Sequence, residues 1–318
     1  MGVTDRYGIY AVHLNATLCG GITEVDDAYE STIRGEPRSG EALARFLSLV
    51  AQTARVGFSS EAIKTILDTI ATTDGGLPLK YSNLASTVWA NGLRVYWQKY
   101  LAGGSRDPAS VHIKDTITAG IIALQRLSCQ HQGDAVAEVE AVCGWDGSND
   151  LIARTFNVAL PAAPTDGDRF TLIDGYNTIG GIAFGQLRSL EIGFGFGIER
   201  EGSGSDVAEK FVTIKTIAPT ITLRGIDPSL YAAAKIPTVG LNCTHANTKL
   251  YLRKRAAGGS FVANGTAQHI SVTADGMAKV GQIGRGSGQD ASEIVAVLQC
   301  RYDGSNAPMI FNTATAIS

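Results

Sequence analysis

Cys129-Gln130-His131 and Cys243-Thr244-His245 each place a thiol and an imidazole two residues apart, the opening of a zinc site. Neither is followed by the second Cys-x2-Cys or His-x3-His pair that closes such a site, so no metal is expected. His112 and His269 stand at matching places in the chain with no Ser or Cys elbow beside them, which points to packed or capping imidazoles rather than a general base. Asp146-Gly147-Ser148-Asn149-Asp150 is dense in carboxylates but lacks the Asp-x-Asp-x-Asp-Gly spacing and closing Glu of a calcium loop. Asp-Gly between two β runs reads as a turn. Gly193-Phe194-Gly195-Phe196-Gly197 and Gly284-Arg285-Gly286-Ser287-Gly288 carry Gly-x-Gly without the third glycine of a dinucleotide loop, since Ile198 and Gln289 stand there. Trp89, Tyr96, Trp97 and Tyr100, with Arg94 and Lys99, could stack on bases or sugars, or pack a core. No catalytic constellation emerges, so the chain is expected to be neither an enzyme nor a cofactor carrier.

The elements that position these residues occur twice. Tyr96, Lys99 and Gly103-Gly104-Ser105 recur as Tyr251, Lys254 and Gly258-Gly259-Ser260. His112-Ile113 recurs as His269-Ile270, and Cys143 with Asp146-Gly147-Ser148-Asn149 recurs as Cys300 with Asp303-Gly304-Ser305-Asn306, each 157 residues on. Upstream, Gly20-Gly21-Ile22 resembles Gly180-Gly181-Ile182, and Asp5-Arg6-Tyr7 resembles Asp168-Arg169-Phe170. The order is kept throughout, so the sequence predicts two tandem homologous domains, 1–160 and 161–318, joined near Leu160–Gly167. Cys19 and Cys243 have no counterparts, and five cysteines are an odd count. Reduced thiols are therefore expected rather than a disulfide framework.

With 37 glycines and 18% charged residues, the 318-residue chain reads as a turn-rich β protein. A net charge of −3 gives no global basic field for phosphate binding. The start has no apolar signal-peptide core, and no run approaches membrane-spanning length. Strands are predicted at Phe46–Val50, Glu138–Val142, Phe211–Ile217, Thr220–Leu223 and Ile294–Leu298, with last strands near Ile152–Val158 and Met309–Ala316. Ile63, Ile66, Leu67 and Ile70 form one helical stripe, capped by Ser59 or Ser60 with Phe58 as a staple. A second, shorter helix is expected from Asp227-Pro228 to before Pro237. Each half is thus α+β, mainly β: a sandwich- or barrel-like domain with one short helix. Two polar, glycine-containing excursions, Asp26–Glu41 and Gly193–Asp206, read as hairpin or loop tips between strands, either exposed arms or solvated loops.

A duplicated β-rich domain with one helix and one protruding arm per copy resembles the tail-tube proteins of long-tailed bacteriophages. The resemblance spans both halves and is architectural, carried by no diagnostic motif. It implies neighbouring domains that join sheets around a DNA-conducting lumen. It further implies trimeric, pseudo-hexameric rings (or hexamers) stacked into a tube, contacts with other tail proteins, and transient passage of DNA. The protein would be assembled in a host cytoplasm, reside in a virion and carry no membrane anchor. Arg34, Glu36 and Arg38 on the first arm, and Glu199, Arg200 and Glu201 on the second, are then the expected ring-to-ring contacts. Alternatives are a neck, distal-tail or head-decoration protein, or a carbohydrate-binding β module using Trp89–Tyr100.

Overall fold

The computed structural model describes residues 6–37, 44–70, 72–74, 77–164, 167–203, 206, 208–226, 240–256, 258–284 and 293–318. Strands dominate it. The first half of the chain runs β1 (Arg6–Leu14), β2 (Thr17–Cys19), β3 (Ile22–Pro37), β4 (Ala44–Ser60), helix α1 (Ile63–Thr69), β5 (Thr72–Asp74), β6 (Leu77–Leu79) and β7 (Tyr81–Asn83). It continues through β8 (Leu93–Tyr100), β9 (His112–Ile117), β10 (Gly120–Gln130), β11 (Val136–Cys143) and β12 (Ala153–Val158). The second half runs β13 (Arg169–Leu172), β14 (Asn177–Ile179), β15 (Ile182–Phe184), β16 (Leu187–Gly193), β17 (Phe196–Glu201), β18 (Phe211–Ile217) and β19 (Thr220–Gly225). After it come β20 (Leu241–Cys243), β21 (Lys249–Arg255), β22 (His269–Ala274), β23 (Gly276–Gly284), β24 (Glu293–Cys300) and β25 (Met309–Thr315).

Three large sheets hold most of these strands, and β17-β18 and β5-β6 form two-stranded ribbons. A five-stranded sheet has the order β12-β9-β8-β1-β2, and a six-stranded one the order β15-β14-β21-β22-β25 with β13 beside β21. Read from β12 and from β25, the two sheets follow the same path. The third sheet has ten strands, β20-β23-β24-β19-β16-β10-β11-β4-β3, with β7 also on β10. Its two ends again match: β7, β10, β11, β4 and β3 stand to one another as β20, β23, β24, β19 and β16 do. Even the irregularities agree. A bulge lies between Leu124 and Arg126 in β10, and another between Val280 and Gln282 in β23.

The pattern of alternating side chains explains the layering. β19 buries Ile221 and Leu223 and turns Thr222 and Arg224 outward, and β16 buries Leu190 and Ile192 around Glu191. These inner residues join Val12 and Val95 of the five-stranded sheet and Leu252 and Ile270 of the six-stranded one in a single buried cluster. The result is a sandwich-like, mainly β fold. Arg154 of β12 meets buried Asp115 of β9 at 2.7 Å, so that charge is paired within the layer.

Several sequence expectations need correction. β4 runs through Ser59 and Ser60, so neither caps α1; the N-cap position is Ala62 and makes no side-chain cap bond. Ser60 Oγ instead donates to the Gly20 carbonyl at 2.8 Å and accepts from the Ala62 N–H at 3.0 Å. Phe58 is a core residue of the strand rather than a staple. The polar stretch from Asp26, read as a hairpin or loop tip, is strand as far as Pro37, because β4 supplies its ladder over that length, and 38–41 lie outside the described residues. The second helix expected at 227–237 lies outside the described residues.

Candidate assembly surface

The two halves of the chain meet edge to edge. Along β10 and β16, Arg126, Leu127, Ser128, Cys129 and Gln130 face Gly193, Ile192, Glu191, Leu190 and Ser189 in antiparallel register. The ladder extends past both strand ends, where the Phe194 N–H donates to the Gln125 carbonyl at 3.1 Å and the His131 N–H to the Arg188 carbonyl at 2.7 Å. One face of this seam is apolar: Leu127 and Ile192 are each 0% exposed, and Cys129 and Leu190 are buried beside them. The opposite face is charged. Arg126 is shared between Glu138 and Glu191, the latter at 3.6 Å. Nearby, Arg55 is shared between Asp26 at 3.8 Å and Glu140 at 3.6 Å. On this outward face Arg55 and Arg126 are thus each paired with two carboxylates, whereas Arg188 and Arg224 are exposed.

The same seam positions at the two ends of the ten-stranded sheet have no neighbour among the described residues. β3 ends the sheet and pairs only with β4. Among the described residues β20 covers β23 only from Gly276 to Ala278, and the stretch to Gly284 pairs there with β24 alone. Such edges ordinarily template pairing with another strand.

The residues singled out for ring-to-ring contact fall on hairpins. Arg34 and Glu36 lie on β3, opposite Ser48 and Phe46 of β4, and Arg38 lies outside the described residues. Glu199, Arg200 and Glu201 lie on β17, in a separate two-stranded ribbon with β18. Glu199 pairs with Lys215 at 2.7 Å and Arg200 with Glu209 at 3.9 Å, while Glu201 is exposed. The break between β16 and β17 is held by Phe194, which stacks on Phe196 and Phe311 at 5.9 and 5.8 Å. The glycines there serve a chain kink, and the second Gly-x-Gly beyond Gly284 lies outside the described residues.

The repeated residues do local structural work in both halves. The Lys99 N–H donates to His112 Nδ1 at 3.0 Å, and the Lys254 N–H to His269 Nδ1 at 3.0 Å. Asp146 accepts the N–H groups of Ser148 and Asn149 at 2.8 Å each, and Asp303 accepts those of Ser305 and Asn306 at 2.7 and 2.6 Å. The Asn306 side-chain amide, then these backbone donors, holds the Asp303 carboxyl down at about 2. Both are Asx turns. No group of three metal-ligating side chains occurs among the described residues. Cys129 is buried two residues from an exposed His131, and burial pushes the Cys129, Cys143 and Cys300 thiols up to about 12. Thiols so displaced are poor nucleophiles. Trp89 and Tyr96 are buried, and Trp97 Nε1 donates to Asp115 at 2.7 Å, so these rings pack the sandwich and form no open stacking platform.

Two histidines, His13 and His112, are expected to make the fold pH-sensitive. Burial, then the Arg106 charge, lowers the pKa of His112 (2% exposed) below the ordinary 6.5, against a smaller opposing effect of Asp107. Burial, then Arg94, lowers His13 in the same sense. Below pH 6.5 the unfolded chain takes up protons that the folded one refuses, so this stability is present above that pH and lost as pH falls through it. The expected slope between pH 7 and 5 is at most about 1.4 kcal/mol per pH unit for each histidine. Urea midpoints should fall across that range, and His112→Asn, whose amide oxygen can still accept the Lys99 N–H, should flatten the fall. A wild-type midpoint constant from pH 7 to 5 would refute it.

No protein-family model matches this chain, and no curated protein sequence matches it.

Proposed function

We propose that this chain is a virion structural protein that assembles through its sheet edges into stacked rings, forming a phage tail tube through which DNA passes. In this reading residues 1–160 and 161–318 are two copies of one tube domain, and three chains present six domains to a ring. The observation that carries it is the β10–β16 seam, which runs one sheet uninterrupted from one half into the other. Duplication makes half of the ring's joints intrachain, so fewer partners need ordering on association.

The paired arginines Arg55 and Arg126 on the charged face of that sheet suit a conduit. A wall that holds DNA needs cations free to neutralise phosphates. Here Arg55 and Arg126 are each already engaged by two carboxylates. The paired strands of each hairpin, β3–β4 and β17–β18, are the contacts assigned between rings.

Electron microscopy across a concentration series, with mass from light scattering, tests this. Hollow rings or tubes with sixfold views and three chains of 33.4 kDa per ring are the expected result. Monodisperse monomers at every concentration would overturn it.

A further inference from the structure

We infer that the outer edge of β3 in one copy pairs with the open stretch of β23 in the next, in the register that the β10–β16 seam already uses within the chain. This deepens the ring reading above and rests on it. The register follows from matched positions. Val139 pairs with Phe58, which pairs with Val25; Ala296 pairs with Leu223, which pairs with Leu190. Val25 of β3 therefore occupies the place of Leu190 in β16. On the other strand, the shared bulge aligns Arg126 with Gln282. The internal pairs Arg126–Gly193, Leu127–Ile192 and Ser128–Glu191 thus translate into Gln282–Ala28, Ile283–Asp27 and Gly284–Asp26 between copies.

The state of both edges fits. Glu24, Asp26 and Asp27 are exposed along β3, and among the described residues nothing but β4 pairs with that strand. A strand whose partner is supplied by an identical molecule must show this open ladder in the single chain. Because one end of the sheet is a β3-type edge and the other a β10-type edge, the contact is head-to-tail, which closes into a ring when the rotation permits.

The joint between copies differs from the internal one in one respect. Where the seam within the chain buries Ile192, β3 presents Asp27, and Arg154 stands 3.3 Å from its carboxylate. A charge that already carries its counter-ion need not be stripped of all partners on pairing. It also makes an unassembled edge less prone to stray pairing. The intermolecular joint is thus the more polar and the more readily reversed of the two.

Cysteine pairs test the register on the full chain. Directly opposed residues of antiparallel strands lie about 4.5–5.5 Å apart at Cα, within disulfide range. Oxidation of assembled Asp26→Cys/Gly284→Cys protein should give a ladder of covalent multimers containing most of the chain. Ser128→Cys/Glu191→Cys, the internal equivalent, should instead give a cross-linked monomer. The off-register pair Asp27→Cys/Gly284→Cys, whose side chains point to opposite faces, should cross-link at least about tenfold less. In the unmodified protein, amides 24–28 and 282–284 should gain at least about tenfold protection from hydrogen exchange on assembly. Rings or tubes that form without a ladder and without that protection would overturn the register and leave the ring reading standing. A chain that stays monomeric would overturn both, and a ladder from open chains without rings would support the joint while refuting the tube.

Discussion

Ile192→Asp is expected to unfold the whole protein, not only its second half. Ile192 is fully buried opposite Leu127, so the new carboxylate would be enclosed by Leu190, Leu127 and Cys129 with no cation beside it. An uncompensated buried charge costs more than about 4 kcal/mol, against a total stability of about 5–15 kcal/mol for a domain. The damage falls on both halves because β16 is bonded to β10 on one side and to β19 on the other. Calorimetry should show the loss of a single transition. Ile192→Val, which removes one methylene, should cost only about 1 kcal/mol. A first half that keeps its native melting signal in the Asp variant would show that the halves fold independently.

Gly120→Ala and Gly276→Ala should be nearly as severe. A Cβ on Gly120 would lie 2.0 Å from the Val142 carbonyl oxygen, and φ there is +112°. A Cβ on Gly276 would lie 2.0 Å from the Gln299 carbonyl oxygen. Both obstacles are backbone atoms of the adjoining strand, so relief requires β10 to leave β11, or β23 to leave β24, at the start of each ladder. We expect a loss of about 3 kcal/mol or more for each, read from denaturant midpoints. Gly103→Ala is the control: nothing lies within 4 Å of its Cβ, and the change should stay within about 0.5 kcal/mol. Equal midpoints for the three variants would refute the account.

These two sites mark the limit of what the sequence can tell. Of the motifs that recur at a spacing of 157 residues, the Asp-Gly-Ser-Asn block is a turn, where conformation is written in local chemistry: Asp146 and Asp303 accept their own downstream amides. Strands rich in Val, Ile and Leu, such as Ile294–Leu298, are legible for the same reason. Partner choice is not local. Nothing in Leu187–Gly193 says that it will sit beside Arg126–Gln130, because alternating apolar residues fit any sheet whose face needs covering. The run Asp26–Glu36 misleads in the opposite direction. Its polar, glycine-containing makeup reads as a hairpin or loop tip, yet an edge strand tolerates charge on its open faces, and β4 fixes it as strand as far as Pro37. The cap of α1 is missed because Ser59 and Ser60 are drawn into a ladder with β11. The candidate surface is the least legible part, since it consists of backbone groups that lack strand partners among the described residues, and side-chain identity barely records them.

The same seam also governs how the protein is made. Synthesis runs from the amino terminus, so Arg126–Gln130 leaves the ribosome well before its partner Ser189–Gly193, and Gln130 and Gly193 are 63 residues apart. At roughly 5–20 residues per second, the nascent first half waits about 3–13 s before its own chain can supply the neighbouring strand. Throughout that interval every polysome carries a row of growing chains with the same unfilled edge. The fidelity of assembly is therefore a race between elongation and encounter with a neighbour. Slow codons between positions 130 and 189 would lengthen it in favour of tangled polysomes.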